Sequence, residues 1–400
     1  MNQLLSAEYK KKEIVEALNS IGPTKASGPD GFPAIFYQKF WHIIGKEISA
    51  YFLDILNNGK SLNYLNQTDL VLIPKIAHPT NHINFTPISL CSVFYKIISK
   101  TIANRLQKVL DFCIDPAQSA FVPGRLITDN VLLAYEILHS LRSKRGGKKG
   151  LMALKIDMSK AYDRVEWGFL KQMMIKMGFG EEWVDMIMQC VETVSYSVVL
   201  NRIPGTTFIP KRGLRQGDPL SPLLFLICNG GLSTLLRLEA EEGILKGIKA
   251  SRRGPSISHL LFEDDCILFG EAMERGITTF ERVLKEYEKC SGQCVNYGKS
   301  TVFFSSNTAE PVRATISNQL GIRRSNDAEN YLGLPNMIGR KKRRAFQHLK
   351  DRIKTKVDSW CTRLLSQGGK EVFIKAVLQE TLTYTMSCFL LPLSTCHEME

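Results

Sequence analysis

An α+β fold is predicted for this 400-residue chain, and three observations predict it. Apolar residues recur at helical spacing in some stretches and fill short strand-length runs in others. These stretches lack the regular strand–helix alternation of a parallel βαβ array. One run, HLLFEDDCILFG (259–270), has apolar arms on both sides of an acidic tip, which marks an antiparallel hairpin. The composition, 44% apolar and 23% charged, is that of an ordinary globular protein and excludes intrinsic disorder. No internal repeat and no low-complexity tract is present. At about 100–200 residues per domain, the length allows two or three domains.

The elements follow in chain order. Residues 8–20 predict a helix that ends before the Gly/Pro-rich segment 22–31. Residues 32–56 carry Ile35, Phe36, Phe40, Ile43, Ile44, Ile48, Phe52 and Ile55 at helical spacing. The run TDLVLIP (68–74) has the length and apolar content of a short buried strand. A long helix is predicted over 92–112, and another over 129–141 with Asp129 or Asn130 as its cap. Then come a strand over 151–157, a helix over 164–177 and a strand over 195–200. Pro219 and Pro222 introduce a helix running to about Glu239. The hairpin lies within 260–269, and a helix follows over 278–291.

The net charge is +13, from 52 Lys and Arg against 39 Asp and Glu. Much of it is concentrated, because residues 340–375 hold twelve Lys/Arg and three Asp/Glu. Arg142, Lys144, Arg145, Lys148 and Lys149 form a second cluster around SKRGGKKG. Solvated faces usually interleave opposite signs, so one-sided clusters point to a surface that tracks phosphates. The ten cysteines contain no CxxC and the seven histidines take no zinc-ligand spacing, so neither a disulfide framework nor a zinc site is expected. No uninterrupted apolar run approaches the roughly 18 residues that span a bilayer. The N-terminus, MNQLLSAEYKKKEIVEAL, is too polar for a secretory signal. A soluble intracellular chain with no membrane partner is expected.

Two places carry carboxylates where a purely structural chain has little use for them. Asp157 closes the apolar strand of LMALKIDMSKAYDRVEW (151–167), just before a turn into a helix. Asp264 and Asp265, with Glu263 beside them, occupy the hairpin tip. Asp alone is common in turns for local hydrogen-bonding reasons. Three adjacent carboxylates, however, resist ionising together unless a cation neutralises them. A hard divalent ion such as Mg²⁺ is held through one or two carboxylates plus substrate phosphates. A strand-end Asp and a hairpin-tip Asp could bridge two such ions for an in-line phosphoryl displacement. Two further segments fit that chemistry. In GLRQGDPLSP (213–222), glycines permit close backbone approach, Arg215 could reach a phosphate, and the following helix start favours an anion. In QCVNYGKS (293–300), Lys299 could donate a proton to a leaving group; taken alone it reads as a surface lysine.

At these residues the sequence resembles the reverse transcriptases of LINE-type (non-LTR) retrotransposons, most like the plant members. The resemblance runs from about Ile21 to Pro392 in family order. It is carried by KASGPDGFPAIFYQKFW (25–41), LVLIPKIAHPTNHINFTPISLCSVFYKIISKTIANRL (70–106) and QSAFVPGRLITDNVLLAYE (118–136). The later blocks are IDMSKAYDRVEW (156–167), RGLRQGDPLSPLLFL (212–226), LLFEDDCILF (260–269) and SGQCVNYGKS (291–300). YLGLPNMIGRKKRRAF (331–346) and SQGGKEVFIKAV (366–377) complete the set. The resemblance implies a right-hand polymerase with an antiparallel palm sheet. It implies an N-terminal extension and fingers over 1–150, a palm with interleaved fingers elements over 151–335, and the start of a thumb over 336–400.

It also implies roles. Asp157, Asp264 and Asp265 fall on the catalytic, metal-binding carboxylates, which take two Mg²⁺ ions, with Mn²⁺ as the alternative. Tyr162 falls on the aromatic gate that excludes a ribose 2′-hydroxyl. Gln216 and Gly217 fall on the loop that contacts the incoming nucleotide and template, beside Arg215, whose substrate contact rests on the loop reading above. Lys299 falls on the lysine that assists pyrophosphate departure, and Tyr331, Leu332 and Gly333 match the primer grip. Asp163 is a structural or capping residue. The implied partners are an RNA template, a DNA primer and deoxynucleoside triphosphates; the oligomeric state is left open. The retroelement lifestyle implies nuclear residence, although no address signal is present.

Two departures from the family pattern bear on activity. Glu263 stands where Ala usually precedes the Asp pair, and adds a negative charge beside the metal ligands. Thr86 stands where an Arg is usual, and removes a phosphate or template contact. They motivate a rival expectation, a weakened or silent remnant that only binds nucleic acid. A group II intron maturase shares the palm chemistry but lacks these blocks. The endonuclease that precedes this region in the family, and the Cys-rich and RNase H-like segments that often follow it, do not lie in these residues, so a polymerase fragment is expected.

Overall fold

A computed structural model describes residues 1–251, 253–325, 330–336, 338, 345–359 and 364–399. The strands are β1 (Gln67–Pro74), β2 (Phe85–Cys91), β3 (Leu151–Ile156), β4 (Ser195–Leu200), β5 (Ile203–Pro204) and β6 (His259–Phe262). They continue with β7 (Asp265–Glu271), β8 (Thr301–Phe304), β9 (Arg323–Arg324), β10 (Asn330–Tyr331) and β11 (Leu334–Pro335). The chain forms two compact units, each assembled from three separated stretches.

The first unit comprises Met1–Gly124, Met158–Leu238 and Arg282–Val295. Its sheet has the order β2-β1-β4-β5, with β1 antiparallel to β2 and parallel to β4. Helix Val93–Gln107 is buried along most of its length, so Tyr95, Ile97, Ile98, Ile102 and Leu106 all lie in the core. The helix predicted over 92–112 is shorter than expected. Lys108 and Val109 donate to Arg105 and Leu106, and these i→i−3 bonds tighten and end it before a separate turn at Leu110–Cys113. Helix Lys11–Ser20 packs on it, and Arg105 reaches back to Glu13 at 2.7 Å and over the Tyr9 ring. Helix Ser221–Glu241 is long and apolar enough to cross a bilayer by length and composition, yet most of that window is buried inside the protein. No uninterrupted apolar run reveals it in the sequence, because scattered polar residues break the stretch.

The second unit comprises Arg125–Asp157, Glu239–Glu281 and Asn296–Glu400. Its five-stranded sheet has the order β6-β7-β3-β8-β9, antiparallel except at the β8–β9 edge. β3 sits at the centre, and Met152, Ala153 and Leu154 are all buried, so both faces of the strand are covered. That is why β3 and β7 read as continuous apolar runs with no alternation. Helix Ile127–Ser143 packs Ala134, Ile137, Leu138 and Leu141 against Ala153, Leu260, Ile267 and Phe269. It starts two residues earlier than predicted and has no side-chain cap; Asn130 lies inside the helix and is buried. A second core joins Val131, Leu334, Phe346, Leu349, Ile353, Phe389 and Leu391. The nine described cysteines form no disulfide.

Candidate active site

The site is built on β3 in the second unit. Its last residue, Ile156, lies across from Cys266 on β7. One step further along each antiparallel strand come Asp157 and Asp265. Asp264 precedes Asp265 in the two-residue turn that closes the hairpin, where Phe262 pairs with Asp265. Loss of solvent raises the Asp265 carboxyl above its ordinary range; Lys155 opposes the rise, while Asp264 and Asp157 add to it. Asp264 is also raised, first by loss of solvent, with a backbone hydrogen bond opposing and the Asp157 charge adding. The three carboxylates therefore share one electrostatic neighbourhood.

Asp157 is fixed through its backbone. Its N–H donates to Ser300 Oγ at 3.0 Å, and its carbonyl accepts from the Asn296 N–H at 2.8 Å. The Ser300 N–H and hydroxyl both donate to the Asn296 carbonyl, at 2.9 Å each, closing a turn that clasps the end of β3. Lys299 sits exposed on this turn. In the sequence Lys299 stands out in this block, whereas Asn296 and Ser300 do the clasping. An Asn and a Ser flanking a Gly are a turn signal that could have drawn attention to them.

Glu263 takes the first position of the hairpin turn with φ +56°, a left-handed conformation unusual for a residue with a side chain. Lys155, on β3, donates to the Asn330 carbonyl at 2.9 Å. Tyr331 and Leu334 pair across a second tight hairpin, whose turn residues Leu332 and Gly333 have φ +49° and +78°. Positive φ at both positions is the pattern of a type I′ turn, and Gly meets it without strain. Tyr331 is buried beside the β7 core, while Gly333 is exposed at the tip. Residues Met337 and Gly339–Arg344 of this block lie outside the described residues.

The remaining predicted residues belong to the first unit. Tyr162 stacks on Phe225 with ring centroids 4.8 Å apart and planes 13° from parallel. Its carbonyl accepts from the Leu214 N–H at 2.8 Å, and Trp167 Nε1 donates to the Gly213 carbonyl at 2.8 Å, stitching the two motif loops together. The Gln216 carbonyl accepts from the Ser89 N–H at 3.0 Å. Gly217 has φ +108°, and a Cβ there would stand 3.1 Å from the Ser89 carbonyl oxygen. Thr86 pairs with Ile73 on the β1–β2 ladder.

Arg215 corrects the expectation of a phosphate contact. Its side chain is 4% exposed and pairs with Asp218, itself 4% exposed, at 2.9 Å. It also donates to Asn66 and to the Cys190 carbonyl, and lies over the Tyr95 ring at 3.9 Å. Tyr95 donates to the same Asp218 carboxylate at 2.8 Å. The guanidinium is enclosed and fully engaged, so a phosphate would have to break a buried ion pair to reach it.

Among the described residues, no three His, Cys, Asp or Glu side chains form a ready-made metal cage. The all-oxygen donor set still suits a hard divalent ion. Carboxylates held close enough to raise one another's protonation are the groups a cation relieves, and Mg²⁺ completes its shell with water and substrate phosphates.

Comparison with known proteins places most of the chain in one family. Residues 73–336 match the family model described as reverse transcriptase (RNA-dependent DNA polymerase). The chain is 28% identical over 390 residues to the Transposon TX1 uncharacterized 149 kDa protein of Xenopus laevis, covering 94% of this chain and 28% of that protein. It is 29% identical over 249 residues to the Retrovirus-related Pol polyprotein from type-1 retrotransposable element R2 of Nasonia vitripennis, covering 62% of this chain and 23% of that protein. A shorter match, 52% identical over 67 residues, covers 17% of the chain and 55% of the Uncharacterized mitochondrial protein AtMg01250 of Arabidopsis thaliana. The chain spans less than a third of the length of the TX1 and R2 proteins.

Proposed function

Because the chain belongs to the reverse transcriptase (RNA-dependent DNA polymerase) family, we propose that it is the polymerase portion of a non-LTR retroelement protein. Its reaction would extend a DNA primer on an RNA template, the primer 3′-hydroxyl displacing pyrophosphate from a deoxynucleoside triphosphate. The observation that carries this is the antiparallel register that brings Asp157 and Asp265 to the same step of neighbouring strands, with Asp264 beside them.

Asp157, Asp264 and Asp265 would hold two Mg²⁺ ions, or Mn²⁺ in their place. Bound there, the ions supply Lewis-acid stabilisation of the attacking and departing oxygens. The clasp from Asn296 and Ser300 fixes the Asp157 backbone, so the end of β3 from which its carboxylate projects stays in register with Asp265. Lys299 would donate to the departing pyrophosphate. Tyr162, held flat against Phe225, would reject a 2′-hydroxyl by bulk, and the backbone at Gln216 and Gly217 would face the nucleotide. The Tyr331–Leu332–Gly333 turn would grip the primer. The five-stranded sheet would serve as palm, residues 1–150 would supply the extension and fingers, and residues 336–400 would begin the thumb.

The test is divalent-metal-dependent extension of a DNA primer on an RNA template. Extension that disappears in Asp265→Asn supports the proposal. Nucleic-acid binding without any extension would overturn it in favour of the silent remnant that Glu263 and Thr86 motivate.

A further inference from the structure

The hairpin of β10 and β11 has two residues in each strand. A ribbon this short is not stable by itself, so its position is decided by what holds it. Lys155 donates to the carbonyl of Asn330, its first residue, at 2.9 Å. Tyr384 donates to the Leu332 carbonyl at its turn, also at 2.9 Å. The third tie is a buried side chain. The Tyr331 hydroxyl donates to Asn130 Oδ1 at 2.8 Å, and Asn130 Nδ2 donates to the Leu261 carbonyl at 2.9 Å. Tyr331, Asn130 and Leu261 are each 2% exposed. The amide orientation follows from chemistry, because a backbone carbonyl only accepts, so the nitrogen of Asn130 must face Leu261.

Leu261 lies on β6, two residues before Glu263 and three before Asp264. We propose that Asn130 is a positioning residue that couples the Tyr331 hairpin to the carboxylate hairpin through its single buried amide. The primer end and the metal-binding carboxylates are then held in one register rather than placed independently. Nothing in the polymerase chemistry requires an Asn at this point of the helix; an unpaired amide buried there would be unfavourable, whereas this one is satisfied at both ends. The functional half of the inference rests on the polymerase reading, and the structural half does not.

The experiment uses the full chain with two variants, Tyr331→Phe and Asn130→Asp. The first removes one hydroxyl and keeps the ring. The second keeps the shape but sets a carboxylate oxygen against the Leu261 carbonyl. Hydrogen exchange is expected to rise about tenfold in both hairpins, residues 259–266 and 330–335, in either variant, since one tie serves both. In primer extension, kcat should fall about tenfold in each while the KM for the nucleotide holds, and the double variant should fall no further than the worse single one. Exchange that rises only in residues 330–335 in Tyr331→Phe, or rate losses that multiply in the double variant, would overturn the coupling. A wild-type chain that makes no product removes the polymerase reading and leaves exchange to decide the coupling. If Asn130→Asp does not fold, Tyr331→Phe decides it alone.

Discussion

Asp265 is a carboxyl that the fold holds in an unfavourable ionisation state, and the sign of that effect is measurable. Its folded pKa lies above the ordinary value, first through loss of solvent and, against the pull of Lys155, through Asp264 and Asp157. The protonated form therefore favours folding below the ordinary carboxylate range, and that contribution is lost as pH rises through the raised value. Without metal at neutral pH, Asp265→Asn should raise the melting temperature while abolishing extension. The gain should vanish as pH falls below the ordinary carboxylate range. A melting temperature that is unchanged or lower at neutral pH would contradict the assignment. Glu263, one residue before this pair, combines an added charge with φ +56°. At saturating Mg²⁺, Glu263→Ala should raise the extension rate by about fivefold, corresponding to about 1 kcal/mol of relieved repulsion. Glu263→Gly should add about 1 kcal/mol of stability by removing the strain of a side chain at positive φ. A slower Glu263→Ala enzyme would show that its carboxylate assists the reaction.

At the scale of elements, Arg215 is a junction. It joins the loop before helix Ser221–Glu241 to Asn66 beside β1, to the last turn of helix Glu181–Glu192 through Cys190, and to helix Val93–Gln107 through Tyr95. Removing it strands Asp218, a buried carboxylate that otherwise accepts from Tyr95 and the Leu220 N–H. Arg215→Gln should therefore lower stability by about 3–5 kcal/mol, seen as a lower denaturation midpoint, with the nucleotide KM of the folded fraction unchanged. A raised KM at unchanged stability would restore the phosphate contact that the loop motif suggests. The motif is visible in sequence because Gly, Arg and Pro before an apolar run mark a loop entering a helix. Whether the Arg faces inward is invisible there, because its partners come from residues 66, 95, 190 and 218. The same holds for Asn130, which reads as a helix cap and is in fact a buried bridge between residues 261 and 331.

At the scale of the whole molecule, a net charge of +13 should make nucleic-acid affinity fall steeply with salt. Part of that charge sits in the 142–149 cluster, whose loop is shaped by Asn307 Nδ2 donating to the carbonyls of Gly146, Gly147 and Lys149. Lys149 is paired with Glu271 at 3.0 Å, whereas Arg145 and Lys148 are exposed. Replacing Arg145 and Lys148 by Gln should flatten the slope of log K against log salt by about 1 for each phosphate the two side chains neutralise. An unchanged slope would place the cluster off the nucleic-acid path. Of the other cluster, Arg340–Arg344 and Arg363 lie outside the described residues. The mixed fold, the central strand, the acidic hairpin and the surplus of positive charge are legible in the order of residues, because each is a local pattern of period, turn chemistry or charge. Short strands such as β2 and β8 go unpredicted, since weak local propensity there is completed by packing. Helix Glu181–Glu192 also goes unpredicted, although Trp183, Val184, Ile187, Met188 and Val191 recur at helical spacing behind two first-turn Glu. Tertiary structure alone decides that Asp157 and Asp265 take the same step of neighbouring strands, that Arg215 is enclosed, and that Asn130 joins two hairpins. The interactions that hold these groups link residues far apart in the chain, and burial and shared charge come from neighbours that no local pattern names.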